Sequence, residues 1–234
     1  VAAHYQGTIS LGDYVRALVE FITNCDDSYN DLEKKNGKIN GKIQISIERK
    51  RGVKNSIVEI LDNAEGMKLD EMIENLKRVG GITSGFLKTK GEGKRGLMGR
   101  GAKDCVVFGP IKFQSIKEGQ YSEIEIKRPG KFTPISNKEA TDFERINIGI
   151  EKGNGTLVIQ EVEPKFKIPS HESLIKNLPK YYSLRDIASD SKRELILIDA
   201  SNSNNKRIKE LSYEYPKGKI VFDDKINIPS YPEA

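Results

Sequence analysis

The chain predicts an α+β fold: a two-layer sandwich in which a mostly antiparallel mixed sheet carries helices on one face. Three observations lead there. Strand patterns at 111–116, 121–126, 146–150 and 155–159 follow one another with no helical stretch between them, which favours antiparallel pairing. Helical patterns stand apart from these strands, at 11–30, in a short segment at 69–79, through Val106–Phe108, and at 171–190. With 36% hydrophobic and 31% charged residues, 234 residues suffice to bury a substantial core. No apolar run approaches the roughly 20 residues that span a bilayer, so a membrane role has no support.

Ser10 followed by Asp13 is a capping pattern, and Leu11, Tyr14, Val15, Leu18, Ile22 and Cys25 then recur at helical spacing. On the helix this predicts over 11–30, Glu20, Asn24 and Asp27 stand at i, i+4 and i+7. At about 100° per residue they share an arc of roughly 60°. Such an arc can hold a metal and a water, and it can equally be a solvated face. The apolar stripe lies on the other side, so the helix can pack on a core while presenting these three elsewhere. Asp26 reads as solvated.

Residues 43–48 alternate strictly, and 57–61 follow a turn at Arg51-Gly52. The second strand runs into Asp62-Asn63-Ala64-Glu65-Gly66-Met67 and then a helix bearing Leu69, Met72, Ile73, Leu76 and Val79. An acid at a strand exit beside a glycine turn is a common place for ligand contacts.

Residues 80–101 are rich in Gly, Lys and Arg and read as a mobile lid. The stretch ends in Gly96-Leu97-Met98-Gly99-Arg100-Gly101-Ala102-Lys103, which opens an apolar helix through Val106, Val107 and Phe108. Glycines there would let backbone N–H groups approach a phosphate at a helix N-terminus. Neither a Walker loop nor a Rossmann fingerprint is present. Past Pro179, 194–199 is a strand, 201–205 a turn and 219–222 a short strand. The division expected from this is one domain over 1–190 and, over 191–234, the start of a second domain or a C-terminal extension.

A net charge of +5 and pI near 9.0 suit an anionic partner, though the 39 basic residues are scattered among 34 acids. The charge tilts the expectation toward DNA-linked work through regions outside this chain. Cys25 and Cys105 lie far apart without metal-ligand spacing, so reduced thiols and a cytoplasmic setting are expected. The start at Val1 and the end after Pro232 read as the edges of an excised fragment.

Three of these segments, in this order, resemble the signature boxes of the GHKL superfamily: DNA gyrase B subunits, heat-shock chaperones of the ninety-kilodalton class, histidine kinases and MutL, with MORC ATPases close by. Glu20-x-x-x-Asn24-x-x-Asp27-Ser28 looks like the family's N box, with Ser where Ala is usual. Asp62-Asn63-Ala64-Glu65-Gly66-Met67 is similar to the D-N-G-x-G-M box, with Ala64 where the first Gly usually sits. Gly96-Leu97-Met98-Gly99-Arg100-Gly101-Ala102 follows the gyrase-like lid box, and Gly155-Thr156-x-Val158 is a fourth, shorter match. The resemblance covers roughly 10–165.

It implies a Bergerat-type sandwich that binds ATP and Mg²⁺. Asp62 would accept a hydrogen bond from the adenine amino group, Gly66 would make room for the ring beside Met67, and Thr156 would support it through water. Asn24 would ligate Mg²⁺, a hard ion that prefers oxygen, with Asp27 in support on the nucleotide side. Gly96, Gly99, Arg100, Gly101, Ala102 and Lys103 would contact the nucleotide around its phosphates. Glu20 would polarise the attacking water, as in the hydrolysing branches. The expected activity is Mg-dependent ATP hydrolysis coupled to lid closure and to ATP-dependent homodimerisation of a larger protein. The alternative is a nucleotide-gated scaffold or sensor with little turnover. His4 and His171 are the two histidines, and neither lies on an evident phosphoacceptor helix.

Overall fold

The computed structural model describes residues 14–77, 104–202 and 204–215. In chain order these form α1 (Tyr14–Asn36), β1 (Gly41–Glu48), β2 (Ser56–Asp62), α2 (Leu69–Lys77), a 3₁₀ turn (Cys105–Phe108), β3 (Ile111–Lys117), β4 (Gln120–Lys127), β5 (Lys131–Glu139), α3 (Asp142–Ile148), β6 (Gly155–Val162), α4 (His171–Asn177), α5 (Arg185–Ala188), β7 (Arg193–Asp199) and β8 (Arg207–Glu210). The strands make one eight-stranded sheet, ordered β5-β4-β3-β6-β2-β1-β7-β8. Every pairing is antiparallel except β1 with β7. The chain is thus an α+β sandwich, as expected.

Alternation builds the main core. Ile43, Ile45 and Ile47 of β1, Val58 and Ile60 of β2, and Leu195 and Leu197 of β7 are buried in one cluster with Leu18, Phe21 and Ile22 of α1. Each such side chain contributes about 1.5–3 kcal/mol of hydrophobic stabilisation. The back of the sheet carries a smaller cluster in which Ile148 at the end of α3 meets Ile116, Tyr121 and Leu157.

α1 continues past the expected residue 30 to Asn36 and stops where Gly37, at φ +75°, returns its N–H to Glu33 O at 2.8 Å. It is also buried more completely than a one-sided stripe allows, with Asp26 and Asp27 at 6% and 3% exposure. Asp26, expected in solvent, accepts from Arg193 Nε at 3.2 Å and Asn30 Nδ2 at 3.0 Å. Arg193 reaches Glu33 at 3.0 Å as well and lies over the Tyr29 ring. The helix is therefore fastened to β7.

Three other expectations change. The stretch 146–150 is not a strand: Glu144 accepts from the Thr141 N–H at 3.0 Å, α3 follows, and Gly149 at φ +74° ends it. Ile146, Ile148 and Ile150 mimic a period of two, whereas the capping pair Thr141/Glu144 starts a helix. β5 carried no strand signal, because it is an exposed edge that includes Pro134 and a register shift opposite Glu123/Ile124. The helix expected through Val106–Phe108 is a single 3₁₀ turn closed by Gly109, at φ +145°, where a Cβ would sit 1.9 Å from Glu161 O.

The boundary expected at 190/191 falls inside the sheet. β7 lies parallel to β1 over seven registered pairs, from Gly41↔Arg193 to Ile47↔Asp199, and β8 pairs with β7. The unit thus extends at least through β8. The cap at Ser10/Asp13, Val79, the glycine-rich stretch with Gly96, Gly99, Arg100, Gly101, Ala102 and Lys103, and the strand expected at 219–222 lie outside the described residues.

Candidate functional site

Sheet register sets up the site before any helix is added. Asp62 pairs with Thr156, Thr156 with Ser115, and Ser115 with Ser122, forming a polar row across β2, β6, β3 and β4. Two residues along each strand lies an apolar row of Ile60, Val158, Phe113 and Ile124. α1 and α2 stand over the junction. Between them and the sheet is a cavity of about 720 Å³, measured with its open mouth.

Asn24, Cys25 and Ser28 of α1 enter the cavity wall, as do Asp62 and Thr156 of the polar row. Met72, Asn75 and Leu76 of α2 face them, and Phe113, Ile124 and Val158 make an apolar floor. A mostly apolar cleft with a few convergent polar groups is the usual make-up of a small-molecule site.

Asp62 is the charge in this cleft and is 4% exposed. Burial pushes its carboxyl up to about 6, against hydrogen bonds from the Ala64 and Thr156 amides and the Cys25 thiol that favour the ionised form. Below pH ~4 a raised carboxyl stabilises the folded chain, and that contribution is lost as pH rises through about 6. Ligand-free Asp62→Asn protein should therefore be more stable than wild type above pH 6, by on the order of 2 kcal/mol, with the difference vanishing near pH 4. Denaturant melts at both pH values check it; an equal difference at the two would contradict the assignment.

The Asp62–Met67 turn is held from both sides. The Ala64 N–H donates to Asp62 Oδ1 at 3.0 Å, and the Met67 N–H donates to Ser115 Oγ at 2.8 Å. Ser115 in turn donates to Gly155 O at 2.8 Å and meets the Thr156 hydroxyl at 2.9 Å. Gly66 sits at φ +70° with its Cβ position 2.2 Å from Ile116 O. Its side-chain space is therefore filled by strand backbone rather than opened toward the cavity, a requirement separate from the room for a ring that the motif implies. Gly66→Ala should accordingly cost stability even without ligand, by about 1–3 kcal/mol, in urea unfolding.

On α1, Asn24 Oδ1 is buried with no hydrogen-bond partner among the described residues. Glu20, one turn earlier, is half-buried, and its carboxyl is raised by burial first and then by the Asp104 and Asp27 carboxylates. The structure thus brings Asn24, Asp62, Met67 and Thr156 around one cavity and sets Glu20 and Asp27 on the same helix beside it. Glu20, Asp27 and Gly66 do not line the cavity.

Cys25, Asn75, Phe113 and Ile124 belong to the wall without having been picked out as site residues. Asn75 carried a faint signal, as a polar residue between Met72 and Leu76 on an otherwise apolar helix stripe. No protein-family model matches the chain, and no characterised protein matches it.

Proposed function

We propose that the chain is the ATP-binding domain of a GHKL-type ATPase, hydrolysing ATP with Mg²⁺ as part of a larger protein that dimerises when ATP is bound. The observation that carries this reading is the buried Asp62 carboxylate in a mostly apolar cavity whose wall also holds Asn24 with its orphaned oxygen. Asp62 would accept from the amino group of adenine, with the ring against Met67 and the Val158 floor. Asn24 fits a hard divalent cation, because its unpartnered oxygen is the donor type Mg²⁺ takes from a protein while keeping its waters and phosphate ligands. Bound there, Mg²⁺ would neutralise phosphate charge. Glu20, made more basic by burial and then by the Asp104 and Asp27 carboxylates, would take a proton from water. The role of the glycine-rich stretch around Gly99 rests on its motif alone.

A phosphotransfer role through histidine has less support. Among the described residues His171 is the single histidine, and it is 4% exposed, with its pKa lowered by burial and then by Arg207.

Calorimetric titration of Mg-ATP tests the proposal. Wild type should bind, and Asp62→Asn should bind about 10- to 100-fold more weakly, the range for a hydrogen bond to a charged group. Because the accepting form is ionised, wild-type affinity should be level above pH 6 and fall below it by up to about tenfold per unit. Undiminished binding by Asp62→Asn would remove adenine from this cavity. Binding without turnover, even in the full-length dimer, would favour the scaffold or sensor role.

A further inference from the structure

Strand direction gathers cations at the end of the sheet away from the cavity. β1 ends at Glu48, β6 at Val162 and β7 at Asp199, while β2 starts at Ser56 and β8 at Arg207, so five neighbouring strands open into three connections there. These are 49–55, 163–170 and the turn between β7 and β8. Asp62 and Thr156 lie at the opposite ends of β2 and β6, about 20 Å away at the rise of an extended chain.

Hydrogen bonds hold the three connections to one another. Arg49 donates its backbone N–H to Ser201 Oγ at 3.0 Å and its guanidinium to Pro169 O at 2.7 Å, and the Ala200 N–H donates to Ile47 O at 2.9 Å. Across five strands at about 4.8 Å spacing they form a front roughly 19 Å wide.

The ion pairs at this end leave a surplus of positive charge. Glu48 has Lys50, Glu163 has Lys165 and Arg128, Asp199 has Arg49 and Arg207, and Glu172 has Arg207. Glu161 takes the Asn55 amide at 3.3 Å. Arg51, Lys54, Lys167 and Lys206 are exposed and make no ion pair among the described residues, though Lys206 lies in the field of Glu59. The one aromatic among the described residues of these connections, Phe166, is packed edge-on against Phe108 with centroids 5.0 Å apart. Binders of single strands stack bases on open aromatic rings, whereas exposed cations without such a platform suit phosphates.

We propose that this end of the sheet binds the phosphate backbone of a nucleic-acid duplex, without reading its sequence. Arg51 and Lys54 on the β1–β2 hairpin, Lys167 after β6 and Lys206 before β8 make the contacts. The front covers about five phosphates of one strand at their 3.4 Å rise, enough for one contact per cation. None of these residues lines the cavity, so the surface is independent of the ATP-site reading.

Fluorescence anisotropy of the full chain with a labelled DNA duplex of about 20 base pairs tests this. Four phosphate contacts give log K a slope of about −3.6 against log salt, so binding should weaken roughly 10²-fold between 50 and 200 mM. Arg51→Gln with Lys54→Gln should make the slope shallower by about two units, and changing all four sites should remove most of it. Lys42→Gln with Lys152→Gln, an equal loss of charge beside the starts of β1 and β6, should leave the slope as in wild type. An RNA duplex run in parallel identifies the preferred form, and this pattern with either duplex supports the proposal. No binding of either, equal slopes for the two double variants, tighter binding of a single strand of the same length, or preference for phosphatidylserine vesicles at the same salt would overturn it.

Discussion

Glu20→Ala is expected to hold Mg-ATP about as tightly as wild type and to hydrolyse it some 10² to 10⁴ times more slowly, the usual worth of a general base. The direction follows from where the carboxyl sits. A surface glutamate near pH 4 is a weak base at neutrality, whereas burial and the Asp104 and Asp27 charges lift Glu20 toward the pH at which it works. One turn separates it from Asn24, so on the proposed ATP-site reading it would face a water beside the phosphates without occupying the cavity proposed for adenine. Single-turnover rates paired with equilibrium affinities read this cleanly, because slow product release then cannot hide the chemical step. Equal losses of affinity and rate would make Glu20 a binding or structural group, and an unchanged rate would exclude it as the base.

The second large effect concerns stability. Arg193→Ala should lower the unfolding free energy by about 3–5 kcal/mol, since it leaves the buried Asp26 carboxylate without its cation, while Glu33 keeps Lys38 at 3.3 Å. The Arg193 side chain is 1% exposed and its partners 8% and 10%, far from the regime in which surface ion pairs contribute little. For a domain of this size the melting temperature should drop by roughly 10 °C. Calorimetry decides it: a shift of one or two degrees would mean that water reaches the pair. Combining Arg193→Met with Asp26→Asn should recover part of the loss by removing the stranded charge.

The site was legible in the sequence wherever its parts are local. Asn24 and Glu20 one turn apart, and Asp62 before a glycine turn, are short-range patterns. What was not legible depends on register or on distant partners. Nothing near Asp26 distinguishes it from a solvated acid, because its partner lies 167 residues away. Cys25 and Phe113 become neighbours of Asp62 only once the helix is docked and the strands are paired. The misread Ile146–Ile150 shows the opposite failure, a local alternation overruled by an equally local cap at Thr141. β5 stayed hidden because an exposed edge with Pro134 needs no hydrophobic pattern to pair on its one inner side.

The parallel pairing of β1 with β7 has a consequence for how the protein is made. Gly41 and Arg193 are partners in the register, so the strand buried beside β1 is synthesised only after most of the domain has left the ribosome. Until then one edge of β1 is open, and the buried Asp26 carboxylate lacks the guanidinium that neutralises it. Folding should therefore be late and cooperative rather than progressive, with a rate governed by a contact of high sequence separation. A nascent chain halted before residue 193 should remain sensitive to protease, and extension through β7 and β8 should bring protection as a single step.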